Sequence, residues 1–234
     1  MAGVNSVLEF LRSGTPVERV LIGPGPRRRE LLAECGRRGV TPVEADRQAL
    51  DRLAGRPGHQ GAVAVAAGFR FADLERVCRA EEPLALVLDG IQDPRNLGAI
   101  LRTARAVGIA GVVLPQDRSV GITSVVVGAS AGALFGLRIV RVPNLVRAME
   151  ALKSSGFWLL GLVPEAQGSI FELALPDRVA LVVGGEGGGV RPLVRRTCDL
   201  EARIPMAPGV ESLNASVAAA VALFELRRRA PQVR

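Results

Sequence analysis

The sequence predicts an α/β protein in which a parallel sheet covered by helices follows a smaller α/β unit. Beyond residue 84, short Val/Leu/Ile runs alternate with helical stretches, as expected for strands buried on both faces. Ahead of them, Glu81, Glu82 and Pro83 punctuate the chain and separate this pattern from a shorter one. With 234 residues and 48% hydrophobic content, the chain can bury one substantial core or two small ones.

Residues 1–80 read as helix 4–11, strand 17–22, helix 28–38, an extended segment near Val43, helix 47–53 and strand 62–67. In the larger region, strands are expected near 84–88, 111–114, 138–142, 157–163, 179–183 and 202–205, with helices between most of them. Asp93 followed by Pro94 suits an N-cap and first helical position. The helix they open carries Leu97, Ile100, Leu101, Ala104 and Val107 as its apolar stripe, with Arg95, Arg102 and Arg105 off it. Ser212, Asn214 and Ser216 open a last helix with an apolar interior over 217–226, closed by Arg227, Arg228 and Arg229.

Thirty basic residues against 23 acidic ones give a net charge of +7, and Lys153 is the only lysine. Arginine suits a polyanionic partner, because its planar fork matches phosphate geometry. The excess is spread over both regions: 13 basic and 11 acidic residues in 1–82, 17 and 12 in 83–234. Any grip on a polyanion must therefore come from local patches such as Arg27, Arg28 and Arg29 or Arg37 and Arg38, which equally suit solvated helix faces.

Cys35, Cys78 and Cys198 are far apart and His59 is the only histidine, so reduced thiols in a cytoplasmic protein and no metal site are expected. Neither a signal-peptide core nor an apolar run long enough to span a bilayer is present, and no membrane partner is expected.

Three segments carry the chemistry, each at or just after a strand end, where parallel sheets bind ligands. The first runs from Asp93 to Ala104. In the second, residues 182–190, a glycine run surrounds Glu186. A dinucleotide fingerprint fails there, because its final glycine position falls on Val190, and a Walker loop fails for want of lysine. What remains is a turn that lets a ligand approach the backbone closely, or a structural turn. The third segment, at 212–218, holds more small polar residues than a helix cap needs.

Together and in this order, the three segments resemble the SpoU/TrmH family of S-adenosylmethionine-dependent RNA 2′-O-methyltransferases, most closely its bacterial RlmB-like 23S ribosomal RNA guanosine methylases. The resemblance also covers Gly3, Val4 and Asn5, and His59, Gln60 and Gly61, near the N-terminus. It implies a SPOUT-type parallel sheet with a C-terminal trefoil knot over 84–234, and an L30e-like RNA substrate-binding domain over 1–80. It further implies S-adenosylmethionine as cofactor, 23S ribosomal RNA as partner, and a homodimer with its sites at the interface.

By the same resemblance Asn96, Arg102, Glu186, Ser212 and Asn214 are the catalytic residues, while Gly184, Ile204, Met206 and Leu213 hold the methyl donor. Arg102 is the central group, either as a base once RNA repositions it or as a cation stabilising the 2′-oxyanion. Glu186 would orient arginine, and Asn96, Ser212 and Asn214 would position ribose and cofactor. Ideal helix geometry sets Asn96 and Arg102 about 120° apart, so their convergence calls for loop geometry or a second subunit. The competing readings are a transfer RNA or antibiotic-resistance methylase, a non-catalytic RNA-binding assembly factor, and an NAD-dependent oxidoreductase, the last weakened by the failed fingerprint.

Overall fold

The computed structural model describes residues 1–12, 16–55, 58–66, 68–210 and 212–230. The chain divides into two compact units, Met1–Arg70 with Ala131–Gly136, and Phe71–Ser130 with Leu137–Arg234.

The first unit contains α1 (Val4–Arg12), β1 (Val17–Ile22), α2 (Arg28–Arg37), β2 (Val43–Glu44), α3 (Arg47–Ala54) and β3 (Ala62–Ala66). Its sheet has the order β2-β1-β3, with β2 parallel and β3 antiparallel to β1. Val7, Leu8 and Leu11 of α1 pack with Val20, Ile22, Leu31 and Cys35 into a buried core. Position 67, where strand 62–67 was expected to end, lies outside the described residues. Arg27 pairs with Glu30, Arg28 with Glu44 and Arg37 with Glu34. Of the two basic patches in the sequence, only Arg29 and Arg38 lack a carboxylate partner among the described residues.

In the second unit the elements are α4 (Leu74–Cys78), β4 (Leu84–Asp89), α5 (Pro94–Val107), β5 (Val112–Pro115), α6 (Ser124–Ala129), β6 (Ile139–Val142), α7 (Leu145–Ser154), β7 (Trp158–Leu162), β8 (Val179–Gly184), α8 (Pro192–Thr197), β9 (Leu200–Ala202) and α9 (Ala215–Arg229). Six strands lie in the order β6-β5-β4-β8-β7-β9, every neighbouring pair parallel. All six residues of β4 are buried, as a continuous apolar run in a helix-covered sheet requires. Its neighbour β8 pairs along its full length, from Leu84 against Val179 to Asp89 against Gly184. The sheet thus brings together the carboxyl ends of two strands that carry separate motifs.

Two boundaries differ from the sequence reading. The units divide at Arg70 and Phe71 rather than at residues 81–83, because α4 turns its fully buried Val77 into the second core beside Val87, Val113 and Val140. The last strand is Leu200–Ala202, not 202–205. Its register on β7 ends with Ala202 opposite Leu162, and Arg203 then bridges to Ser169. Pro205, with no N–H to donate, does not extend the ladder. Ile204 and Met206 are freed from the sheet and line a cavity.

No described helix is long and apolar enough to cross a membrane, and among the described residues no group of three His, Cys, Asp or Glu could hold a metal ion.

Candidate active site

The site begins where β4 and β8 end side by side. Asp93 caps α5 as the sequence implies, its carboxylate accepting from the Arg95 N–H at 2.7 Å, with Pro94 in the first turn. Asn96 therefore stands in the first turn of α5. After β8 the chain turns tightly: the Gly185 N–H donates to the Asp89 carbonyl at 2.9 Å, and the Gly189 N–H to the Gly185 carbonyl at 3.1 Å. A Cβ on Gly184 would stand 2.0 Å from the Gly189 carbonyl carbon, and one on Gly185 would stand 2.1 Å from the Gly90 oxygen. Glycine at both positions is thus required by close backbone approach.

A pair that sequence reasoning missed holds this turn in place. The Asp89 side chain is fully buried and accepts from the Arg191 backbone N–H at 2.8 Å and from its Nε at 2.7 Å. Arg191 Nη2 lies 2.6 Å from Asp89 Oδ1. Such a buried carboxylate persists only with a charged partner and satisfied lone pairs. The signal was present, since an acidic residue ending an otherwise apolar strand is unusual, but its partner lies 102 positions away.

The third segment arrives through α9, whose N-cap is Asn214. Asn214 Oδ1 accepts from the Ser216 N–H at 2.9 Å and from the Ser216 hydroxyl at 2.6 Å. Its Nδ2 donates to Asn96 Oδ1 at 3.1 Å, and Asn96 Nδ2 donates in turn to the Glu186 carboxylate. One hydrogen-bonded chain therefore links all three sequence segments.

Beside it opens a cavity of about 720 Å³, within the range of small-molecule sites. Gly184, Glu186, Ile204, Met206, Ser212, Leu213 and Asn214 all line it, together with Leu162 and Val163 at the end of β7. Arg195 closes one wall, paired with Glu201 through two contacts of 2.6 Å. That hydrogen-bonded pairing holds the Glu201 carboxyl below its usual range and raises the Arg195 guanidinium above its own.

Arg102 is not part of this assembly. It lies on the exposed face of α5, does not line the cavity, and makes no ion pair or side-chain hydrogen bond among the described residues. Glu186, expected beside arginine, bonds Asn96 instead, because the first turn of α5 faces it while Arg102 has rotated away along the helix.

The SpoU rRNA Methylase family model matches residues 83–224. The chain belongs to this family. A second family model, described as RNA 2′-O ribose methyltransferase substrate binding, matches residues 2–72 of this SpoU methylase. The 23S rRNA (guanosine-2′-O-)-methyltransferase RlmB of Xanthomonas campestris is 41% identical to it over 238 residues, spanning 98% of this chain and 96% of that protein. The enzyme of the same name from Vibrio cholerae is 44% identical over 203 residues, 85% of this chain and 82% of its own. Among solved structures, the SpoU methyltransferase AviRb from Streptomyces viridochromogenes in complex with AdoMet superimposes with a TM-score of 0.79 at 28% identity, covering 98% of this chain and 89% of AviRb. An AdoMet-bound rRNA methyltransferase from Sinorhizobium meliloti gives 0.80 at 25% identity, covering 99% and 87%.

Proposed function

We propose that this SpoU methylase transfers a methyl group from S-adenosylmethionine to the ribose 2′-hydroxyl of a guanosine in 23S ribosomal RNA. The observation that carries the reading is the polar chain from Glu186 through Asn96 to Asn214 on the rim of a glycine-floored cavity. Similarity to the Xanthomonas RlmB enzyme along almost the whole sequence supports it.

The cavity fits S-adenosylmethionine. Gly184 brings bare backbone to the cavity wall, because the Gly189 backbone occupies the place its Cβ would take, and Leu162, Val163, Ile204 and Leu213 offer apolar walls for a purine. Backbone groups of Gly184, Ile204 and Leu213, with Met206 nearby, are assigned to hold it. When bound, the cofactor supplies a methyl group on a positively charged sulfur.

The chain's own residues must orient the ribose and deal with the hydroxyl proton. Held rigidly by Glu186 and by the α9 cap, Asn96 and Asn214 fix the ribose at near-attack geometry, the largest contribution open to polar residues of this kind. Ser212 adds a hydroxyl at the cavity mouth. Guanidinium groups stay protonated in proteins, so Arg102 acts as the cation that stabilises the developing 2′-oxyanion.

Arg102 stands away from its own cavity, and α9 leaves Val217 48% and Phe224 56% exposed. Both features support a homodimer in which each protomer lends Arg102 to its partner's site. The same reading assigns an L30e-like fold and RNA substrate binding to residues 1–80, and a trefoil knot at the C-terminal side to the catalytic region 84–234.

Incubation with labelled S-adenosylmethionine and unmodified 23S ribosomal RNA, alongside transfer RNA, tests the function. Label at one large-subunit guanosine, resistant to alkaline cleavage and lost in Arg102→Ala, is the expected result. Transfer to neither RNA by a protein that binds the cofactor would overturn it.

A further inference from the structure

A second cavity, of about 630 Å³, opens at the carboxyl ends of β5 and β6, lined among others by Asp117, Arg118, Asn144, Arg191 and Arg196. It lies across one loop from the first: residues 187–190 line the cofactor cavity, and residues 191–194 line this one. The Asp89 carboxylate fixes that loop between them.

The charge here is unspent. Of the three arginines lining the cavity, Arg191 is matched by buried Asp89. Arg118 and Arg196 have no carboxylate partner among the described residues, although Arg196 Nε donates to the Pro192 carbonyl at 3.3 Å. Asp117 is the only acidic residue in the lining.

Arg118 carries a second signal. Its backbone is left-handed, with φ of 60°, a conformation that costs a side-chain-bearing residue about 1 kcal/mol or more and that glycine adopts freely. Residues 119 and 120 strap it down, since the Val120 N–H and the Ser119 hydroxyl both donate to the Ile91 carbonyl, at 2.9 and 3.1 Å. A guanidinium is thus retained, at a backbone cost, beside the loop that opens α5.

We propose that this cavity is a phosphodiester subsite, where Arg118 and Arg196 hold the RNA backbone next to the nucleotide being methylated. The inference rests on the methyltransferase reading above. Phosphate is favoured over a base, because guanidinium forks match its oxygens and no aromatic side chain lines the cavity to stack a base.

Steady-state methylation of a 23S ribosomal RNA transcript by Arg118→Gly and Arg196→Gln, with the salt dependence of RNA binding, tests the subsite. Each variant is expected to raise KM for RNA by about ten-fold and reduce the salt slope by roughly one charge, with kcat and cofactor affinity unchanged. Arg118→Gly should melt no lower than the parent, since glycine is at ease at that φ, which separates lost contact from lost fold. Unchanged KM and salt slope in both variants would overturn the subsite alone, as would a fall in kcat with KM unmoved. Failure of the parent protein to methylate any RNA would overturn the underlying reading and the subsite with it.

Discussion

Asn214, at the N-cap of α9, donates through Nδ2 to Oδ1 of Asn96 in the first turn of α5, at 3.1 Å and across 118 positions of sequence. The orientation of both amides is fixed from the two ends. The Ser216 N–H requires an acceptor, so Asn214 presents its oxygen to α9 and its nitrogen to Asn96. Asn96 must then offer oxygen to Asn214 and nitrogen to Glu186, whose carboxylate only accepts.

This directionality lets the capping role of Asn214 be tested apart from its proposed role in methyl transfer. Asn214→Asp keeps an acceptor for the Ser216 N–H but sets a carboxylate against the Asn96 oxygen. Its melting temperature should stay near that of the parent, while single-turnover methyl transfer falls by about 10²-fold. Asn214→Ala should lose both, with about 1 kcal/mol of stability gone by chemical denaturation.

Within the glycine turn, substitutions should sort by space rather than by position in the run. Gly184→Ala drives a Cβ into the Gly189 backbone, and a loss of about 1–3 kcal/mol with no calorimetric binding of S-adenosylmethionine is expected. Gly188→Ala, where a Cβ meets nothing within 4 Å and φ lies outside the left-handed region, should bind as the parent does.

Asp89→Asn tests the anchor of that turn. The amide cannot serve both the Arg191 N–H and its guanidinium as a carboxylate does, and the partly exposed guanidinium loses its buried counter-charge. Urea unfolding should show a loss of about 3 kcal/mol, and cofactor affinity should fall as the loop loosens.

At the far end of α9, hydrogen bonds from Arg228 and then Arg229 hold the buried Glu225 carboxyl down to about 2, against an ordinary 4.5. A carboxyl depressed in the folded state stabilises it above the unfolded value and ceases to do so as the proton returns. Glu225 therefore contributes fully above about pH 4.5, and its contribution drains away between there and about pH 2. Arg229 also bonds the Leu173 carbonyl at 2.7 Å, so the carboxylate that Glu225 presents helps to orient a guanidinium that ties the end of α9 to the loop before β8. Glu225→Gln should cost about 1–2 kcal/mol at neutral pH and flatten the acid limb of a pH–stability curve.

Much of this was legible in the sequence because it is local. Asp93 and Pro94 announce the start of α5 by their own backbone preferences, and Asn214 is one of three candidates that stand within five residues of each other. The apolar run of β4 states its burial outright. What could not be read depends on pairing between distant segments. The Asp89–Arg191 pair joins the last residue of β4 to the residue that precedes α8, and the shortening of β9 is decided by where β7 ends. Arg102 shows the opposite limit. Its place in a motif is plain, yet the protomer's own geometry keeps it off the cavity.

The strand order carries a consequence for how the enzyme is born. β8 leaves the ribosome after β4, β5, β6 and β7, yet it occupies the middle of the sheet, between β4 and β7. Until it inserts, the early strands have only part of their ladder, and closure waits on pairings between residues almost a hundred positions apart. Such non-local pairing is slow, on the order of milliseconds to seconds. The cavity is floored by the end of β8 and lipped by the cap of α9, so it takes shape only after β8 has entered the sheet and α9 has docked.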